Sequence, residues 1–550
     1  MKKVMIFLTL LCTLTACQDI NLIPKDNISN PSFWKSSEDF KIACNYLYSS
    51  AFENFPTDTD SDISYALSTN EYSNGSWIAP DEDDEWDKNY ETIRNANLIL
   101  EQASNYPGDA SAIKRYLAEA RFFRAYAYWR LYRKFNSVPL VTRVLNVDSE
   151  ELKAMRNSQA EVEDFILNEL EDIAPDLPLH LSLPDQELGR ITQGAALSLK
   201  ARVALYSGTW AKYHGHRPDG SQLLEQAIAA SQKVMDSRQY SLFDGKGDQS
   251  YRYLFIEMGD DSPEDILSSR YYNSIRTHNI SSLYAWGYGG SPTRVLADMY
   301  LCTDGLPINR SKVFGNYQSI NSEFENRDPR MKQTFLVPGT IYTDFEPGKE
   351  PQACSADFST RPETRTGYKL WKFIGEQKGG DTQAEYDNHL IRYAEVLLIY
   401  AEAVFEKNGY ITNAELNRSI NVIRDREGVR MPHLTVEFAQ ENGLDMLTEI
   451  RRERTVELAF EGFRRDDLRR WKEAERLLPG DIKGIKYKGT EYEAIGVLNS
   501  GNPGIVDANG FLIIESAKDR QFETPKHYYY SLPLKQLFLN SNLAPNNPGW

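Results

Sequence analysis

Cysteine is scarce in this chain. There are five in 550 residues, and no two stand in a CxxC spacing. That excludes a thioredoxin-type redox pair and a zinc knuckle. Basic charge is short as well: 62 Lys and Arg face 79 Asp and Glu, a formal net charge of -17. A nucleic-acid backbone needs a basic face to release its counterions, so nucleic acid is not an expected partner. Beyond residue 16 no apolar run approaches the roughly 20 residues that cross a bilayer as a helix. GxSxG, HExxH and Walker patterns are absent, so no catalytic residue, metal ligand or cofactor is assigned. What is abundant is material for a core, with 41% hydrophobic and 12% aromatic residues.

The one greasy run is at the start. Lys2 and Lys3 precede an apolar stretch over residues 4–16 that ends LTAC, with Cys17 last. A basic start and a short apolar run read as an export signal. Leu14, Thr15 and Ala16 leading into a cysteine resemble the lipobox of bacterial lipoproteins. That resemblance implies cleavage before Cys17 and lipidation of its sulfur and amino group. Several acyl chains at about 0.8 kcal/mol per buried methylene make a stable anchor. Cleavage removes two lysines, moving the charge from -17 to -19, and leaves Cys44, Cys302 and Cys354. A Cys302 to Cys354 bridge is compatible with that count, and spacing alone does not decide it.

Helical spacing recurs along the chain. Ala196, Leu199, Val203, Tyr206 and Trp210 step by three and four, with Thr192 at the N-cap position. Leu224, Ala227, Ile228, Ser231, Val234 and Met235 form a second stripe. Leu390, Tyr393, Leu397, Ala401 and Val404 form a third, closed by Gly409 as a left-handed cap. Thr412 and Glu415 make a capping box for a following helix that carries Leu416, Ile420 and Ile423. Paired helices of this kind, with alanines between the large residues, suggest tetratricopeptide-like hairpins without a strict repeat. Residues 240–380 and 479–530 lack sustained periodicity and are rich in Gly, Pro, Asp and aromatics. The expected fold class is mostly α: a helical hairpin scaffold with long irregular, loop-rich excursions, where binding residues concentrate.

Several stretches invite chemistry. HGH (214–216) reads as a solvated loop, because no third ligand lies within motif spacing. DTDSD (58–62) opens like a calcium loop, but Ile63 and Thr69 stand where an EF-hand needs Gly and Glu. DEDDEWD (81–87) reads as the capped, solvated start of a helix carrying Tyr90 and Ile93. With 79 carboxylates some pair falls at a glycosidase separation by chance, and spacing selects none. The densest charge lies in LTEIRRERTVELAFEGFRRDDLRRW (447–471), read as a helix in which Arg454, Glu457 and the residues after Gly462 supply opposite charges where helices meet. Trp86, Tyr90, Trp129 and Trp471 lie on helical stripes and read as core.

Four stretches together resemble the SusD/RagB family of outer-membrane nutrient-binding lipoproteins. They are AEARFFRAYAYWRLYRKFNSVPLV (118–141); RYAEVLLIYAEA with INVIRDREGV (392–403 and 420–429); RRERTVELAFEGFRRDDLRRW (451–471); and SLPLKQLFLNSNLAPNNPGW (531–550). SLPL and APNNPGW depart from the family's usual Ile-Pro and Asn-Pro closing phrases. The resemblance implies a signal at 1–16, an N-terminal helical region at 17–235, and a C-terminal region at 236–550. The last would hold a loop-rich ligand face (236–385) and helical hairpins (386–478). It also implies a non-catalytic surface protein, lipid-anchored in the outer membrane, that captures oligosaccharides, or peptides in some branches. Such a protein delivers its cargo to a SusC-like TonB-dependent transporter. The rival reading is a surface glycoside hydrolase.

These scaffold motifs carry no ligand residues, so those follow from chemistry. A sugar offers an apolar face to an aromatic ring and a rim of hydroxyls to polar side chains. Aromatics in irregular sequence cluster in NEYSNGSW (70–77), RYYN (270–273) and SLYAWGYGG (282–290). In an extended segment Tyr284, Trp286 and Tyr288 would face one way. The expected floor is Trp286, with Tyr284 or Tyr288, and Trp77, alongside Tyr72 and with Asn74 as a hydroxyl partner.

Overall fold

The computed structural model describes residues 33–52, 55–346, 348–376, 380, 382–498 and 505–550. Cys17 and the export signal lie outside them. The principal helices are α1 (Ser37–Ser50), α2 (Asp84–Gln102), α3 (Lys114–Phe135), α4 (Gln159–Ile173), α5 (Gln193–His214), α6 (Ser221–Ser237), α7 (Ile280–Trp286), α8 (Tyr393–Asn408), α9 (Asn413–Asn417), α10 (Ile420–Asp425), α11 (Met446–Glu457) and α12 (Arg464–Arg470). Strands are few and short: β1 (Ser64–Tyr65), β2 (Asp265–Ser269), β3 (Ser291–Pro292), β4 (Ile341–Tyr342), β5 (Gln352–Ala353), β6 (Asn388–Arg392), β7 (Ile482–Lys486), β8 (Ile505–Val506) and β9 (Phe511–Glu515). They pair as β1–β3, β2–β6, β4–β5 and β7–β9–β8, all antiparallel.

Consecutive helices pack on one another from α2 to α6, and α8 returns to pack on α6 and α5. The mostly helical, tetratricopeptide-like architecture expected from the hairpin pattern is therefore present. At its centre α5 is buried on nearly every face, from Ala195 to Ala211 with Arg202 excepted, as a helix apolar all round must be. Gly208 allows the close approach of α6, since a Cβ there would lie 2.9 Å from the Leu224 side chain. The caps also fall where the sequence puts them. Thr192 accepts from Ala195 N, Thr412 and Glu415 close a capping box, and Gly409 takes φ +77°. Asp83 caps α2, and Trp86, Trp129 and Trp471 are buried.

Two helices are shorter than the pattern suggests. The segment after Thr412 splits into α9 and α10, and residues 447–471 divide into α11 and α12. The second break follows from backbone conformation, because Phe460 and Gly462 both take positive φ, +65° and +81°. The turn lets α12 fold back, and the charges of both helices meet in the interior. Glu457 accepts from Arg330 (2.9 Å), Arg392 (2.8 Å) and Arg426 (2.9 Å), and all four side chains are fully buried. Arg454 donates to Asp467 at 2.8 Å, and Arg470 donates to Glu402 at 2.8 Å. Buried charges survive only when paired and hydrogen-bonded, and this segment is built of such pairs.

HGH is not solvated. His214 stacks on Trp210 at 4.2 Å, and its Nε2 meets the Arg469 carbonyl at 2.8 Å. His216 lies 2.6 Å from Glu163, a carboxylate of α4. Gly215 ends α5 at φ +72°, which turns both rings into the packing. The three cysteines of the described residues, Cys44, Cys302 and Cys354, are free and buried. Among the described residues no helix is long and apolar enough to cross a membrane.

Candidate ligand-binding site

The segment SLYAWGYGG is not extended. It forms the end of α7 and a tight loop, with Gly287 at φ +92° closing the helix. Only glycine fits there, since a Cβ would lie 2.0 Å from the Glu363 carbonyl oxygen. The three aromatics therefore separate. Tyr284 is 1% exposed, stacks on Phe373 at 5.7 Å, and is core. Trp286 is half-buried, donates Nε1–H to the Asp344 carbonyl at 2.7 Å, and carries the Arg361 guanidinium 4.9 Å from its ring centre. Arg361 is held in turn by Asp344 (3.2 Å) and Glu346 (3.0 Å). Tyr288, just past the turn, is 53% exposed. Of the expected floor, Tyr288 is the ring presented to solvent, and Trp286 is a wall packed with Asp344 and Arg361.

The second aromatic cluster packs inward. Trp77 is 4% exposed among His527 (4.1 Å), Tyr72 (5.5 Å) and Trp550 (6.0 Å), which removes its faces from any ligand. Asn74 is half-buried; its side chain accepts from Ser76 N at 3.0 Å and its carbonyl from Gln521 N at 2.8 Å. Tyr72, also half-buried, lines a cleft. In RYYN, Tyr271 is buried under Arg276 (4.4 Å), whereas Tyr272 is 69% exposed at the base of a turn, paired with Arg276.

Strand pairing joins the two clusters. Ser64 opposes Pro292 and Tyr65 opposes Ser291, which lays residues 57–65 against the loop that carries Tyr288. Gly290 makes that approach possible, since a Cβ there would lie 2.8 Å from Thr59 Cγ2. Thr59 meets Thr57 at 3.1 Å and accepts from Asn70 Nδ2 at 3.4 Å. A row of half-buried hydroxyl and amide groups thus runs from Tyr288 to Tyr72.

Beneath that row lies a cleft of about 420 Å³, within the roughly 300–1,000 Å³ of ligand pockets. DTDSD forms part of its wall, which sequence reasoning missed. Asp62 is consumed by Arg464, which donates Nε–H to it at 2.7 Å. Asp58 is 3% exposed and takes φ +51°. Burial, with the like charge of Asp60, pushes its carboxyl up to about 8. Arg465 crosses the cleft, donating to the Asp60 carbonyl (2.9 Å), the Tyr72 carbonyl (2.6 Å) and Tyr530 OH (2.8 Å).

The described residues hold no cluster of three His, Cys, Asp or Glu suited to a metal ion. One trio resembles a nucleophile relay. Ser268 Oγ and Asp265 both meet His389, but both at Nδ1 (3.2 and 3.1 Å), while Nε2 faces the Leu254 carbonyl at 2.8 Å. A relay needs the base between the other two groups, so this trio is a structural knot. The surface geometry suits noncovalent recognition, with an exposed ring, a stacked guanidinium and a row of hydroxyls.

Comparison with known proteins agrees with this architecture. A family model described as "SusD family" matches residues 254–550, and one described as "Starch-binding associating with outer membrane" matches residues 43–205. SusD-like protein P38 of Formosa agariphila is 24% identical over 496 residues, 86% of this chain and 91% of that protein. SusD-like protein P2 of the same organism is 26% identical with full coverage of both. A crystal structure of a SusD-like carbohydrate binding protein from Bacteroides fragilis superposes with a TM-score of 0.75 at 25% identity. It covers 93% of this chain and 100% of that one.

Proposed function

The chain belongs to the SusD family, and from that premise we propose that it is a non-catalytic glycan-binding protein of the outer-membrane surface. It captures oligosaccharides and delivers them to a SusC-like TonB-dependent transporter. Lipidation at Cys17 would hold it there. The observation that carries the reading is the Tyr288 platform: a large ring left in solvent on a loop that follows Trp286 with its Arg361, and whose Gly290 packs on the Thr57 to Thr59 segment. A single exposed ring is common on protein surfaces, so what distinguishes this one is the polar row laid against its loop. A sugar supplies the apolar face it lacks, and hydroxyls for the polar row. The carbohydrate binding named for the Bacteroides fragilis relative supports the same reading.

A glycan array with the purified chain, run beside a library of oligopeptides, is the test. Binding to a glycan with no new reducing ends released supports the proposal. Turnover of the glycan would replace it with the hydrolase, and selection of peptides alone would move the protein to a peptide-binding branch. Co-purification of a SusC-like transporter with the chain from outer membranes tests the delivery step.

A further inference from the structure

The cleft beneath residues 57–60 has a property the surface platform lacks: buried polar atoms with nothing to bond. Asp58 Oδ1, Tyr206 OH, Arg454 Nη1 and Arg465 Nη2 belong to side chains at most 4% exposed. All four residues line this one cleft, and none of these atoms makes a hydrogen bond. Glu85 Oε2, nearer the mouth, is in the same condition. Leaving one such group unsatisfied costs about 1–3 kcal/mol, so several around one cavity argue for a polar occupant.

We propose that this cleft is a second binding site, recessed beneath the polar row that it shares with the Tyr288 platform, for a small neutral polyhydroxylated ligand of mono- or disaccharide size. The inference rests on the carbohydrate-binding reading and adds a second site to it. The chemistry of the lining selects the class. Arg454 and Arg465 offer donors, Glu85 an acceptor, and Tyr206 and the protonated Asp58 either role; neighbouring hydroxyls, each donor and acceptor, satisfy all of them. Net charge does not call for an ion, since seven carboxyl groups and seven Lys or Arg side chains line the space. Trp129, Tyr72 and Tyr530 add aromatic walls. Tyr72, Tyr530 and Glu85 are half-buried, which puts an opening at that end.

The test is calorimetric titration of the full chain with glucose, galactose, mannose, xylose, cellobiose and lactose, repeated on three variants. Tyr288→Ala strips the platform. Asp58→Asn and Glu85→Gln alter the cleft at constant size, and Glu85→Gln changes a group already partly in solvent. The expected result is binding of at least one sugar that survives Tyr288→Ala. That binding weakens about tenfold or more, about 1.4 kcal/mol, in Asp58→Asn and in Glu85→Gln, the latter at unchanged melting temperature. If Asp58→Asn fails to fold, Glu85→Gln decides. Absence of binding by all six sugars overturns the proposal. So does binding abolished by Tyr288→Ala yet untouched by the cleft variants, which leaves the platform reading standing. Crystals soaked in the bound sugar that show only ordered water in the cleft overturn it too.

Discussion

Tyr284 and Tyr288 are one helical turn apart in sequence and opposite in environment, which makes them a matched pair for locating the platform. Tyr288 is 53% exposed, so truncation to Ala forfeits about half the roughly 1.5–3 kcal/mol of a fully buried large side chain, near 1 kcal/mol of folding stability. If it stacks on a sugar, it also loses the buried face in the complex, about 1–3 kcal/mol, or roughly 5- to 150-fold in Kd. Tyr284 is 1% exposed, stacked on Phe373 at 5.7 Å and edge-on to Phe460 at 6.1 Å. Truncating it leaves a cavity and costs about 3–5 kcal/mol of stability, with little direct effect on affinity. Trp286→Ala lies between, losing the Nε1–H bond to the Asp344 carbonyl and the contact with Arg361 as well as ligand area. Scanning calorimetry and titration with the array-selected oligosaccharide separate the two quantities. A Tyr288→Ala variant that keeps its affinity within about twofold would refute the platform, and an unshifted melting temperature for Tyr284→Ala would refute the burial argument behind it.

Glu457→Gln takes one charged acceptor from three buried arginines, but Arg330 keeps Asp328 and Glu453, Arg392 keeps Glu264 and Glu461, and Arg426 keeps Glu264, so the change should cost about 1–3 kcal/mol, read from denaturant midpoints. Stability should also fall on the alkaline side. Burial and Asp60 raise Asp58 from 3.8 to about 8, while His389 rises from 6.5 to about 9, its burial being outweighed by the hydrogen bond to Asp265. Both folded values exceed the unfolded ones, so each contribution is full below the unfolded pKa and lost as pH rises through the folded one, with about 1.4 kcal/mol going for each pH step crossed between the two. Asp58→Asn should flatten the decline between pH 4 and 8 in urea melts at stepped pH, and an unchanged slope would contradict the burial of a neutral Asp58. On the acid side, burial raises Glu402 but Arg470 outweighs it and holds the carboxyl at about 2. Its contribution is full above pH 4.5 and goes as pH falls through 2, so a stability that held constant there would count against the pair. Cys17→Ala should release the protein from the outer membrane, and full retention on detergent partition would contradict a lipid anchor.

The scaffold was legible in the sequence because its signals are local. Thr192, the Thr412 and Glu415 box and Gly409 each act within a few residues, and the structure uses them all. The Arg and Glu runs were legible as pairing but not as partners. Arg454 reaches Asp467 on α12 rather than Glu457 one turn away, because the positive φ of Phe460 and Gly462 reverses the chain between them. A bulky residue at positive φ leaves no trace in periodicity. HGH failed for a related reason. Pro and Gly around it signal a loop correctly, but the groups that bury its rings, Trp210 and Glu163, come from helices and are not announced by the loop.

The proposed ligand face was harder to read, and the obstacle is arithmetic as much as distance. Residues i, i+2 and i+4 share a face in a strand, whereas in a helix i and i+4 do so and i+2 lies nearly opposite. Tyr284, Trp286 and Tyr288 fit the strand spacing, and a seven-residue helix is too short to declare its own period. Gly287 then defeats both templates by ending α7 inside the motif, so the three rings end as core, wall and platform. Composition located the loop, but the hydrogen bonds of a single turn decide which ring meets solvent. The cleft shows the same limit more strongly, since Asp58 and Arg465 lie over 400 positions apart, one in a stretch that fails as a calcium loop and the other in a run that reads as charge pairing between helices. What marks them is an atom left without a partner, which exists only once the chain has folded. In a family built on one scaffold, ligand choice is therefore expected to follow such turns and unpaired atoms rather than the helical motifs, which are occupied in holding the arginines in place.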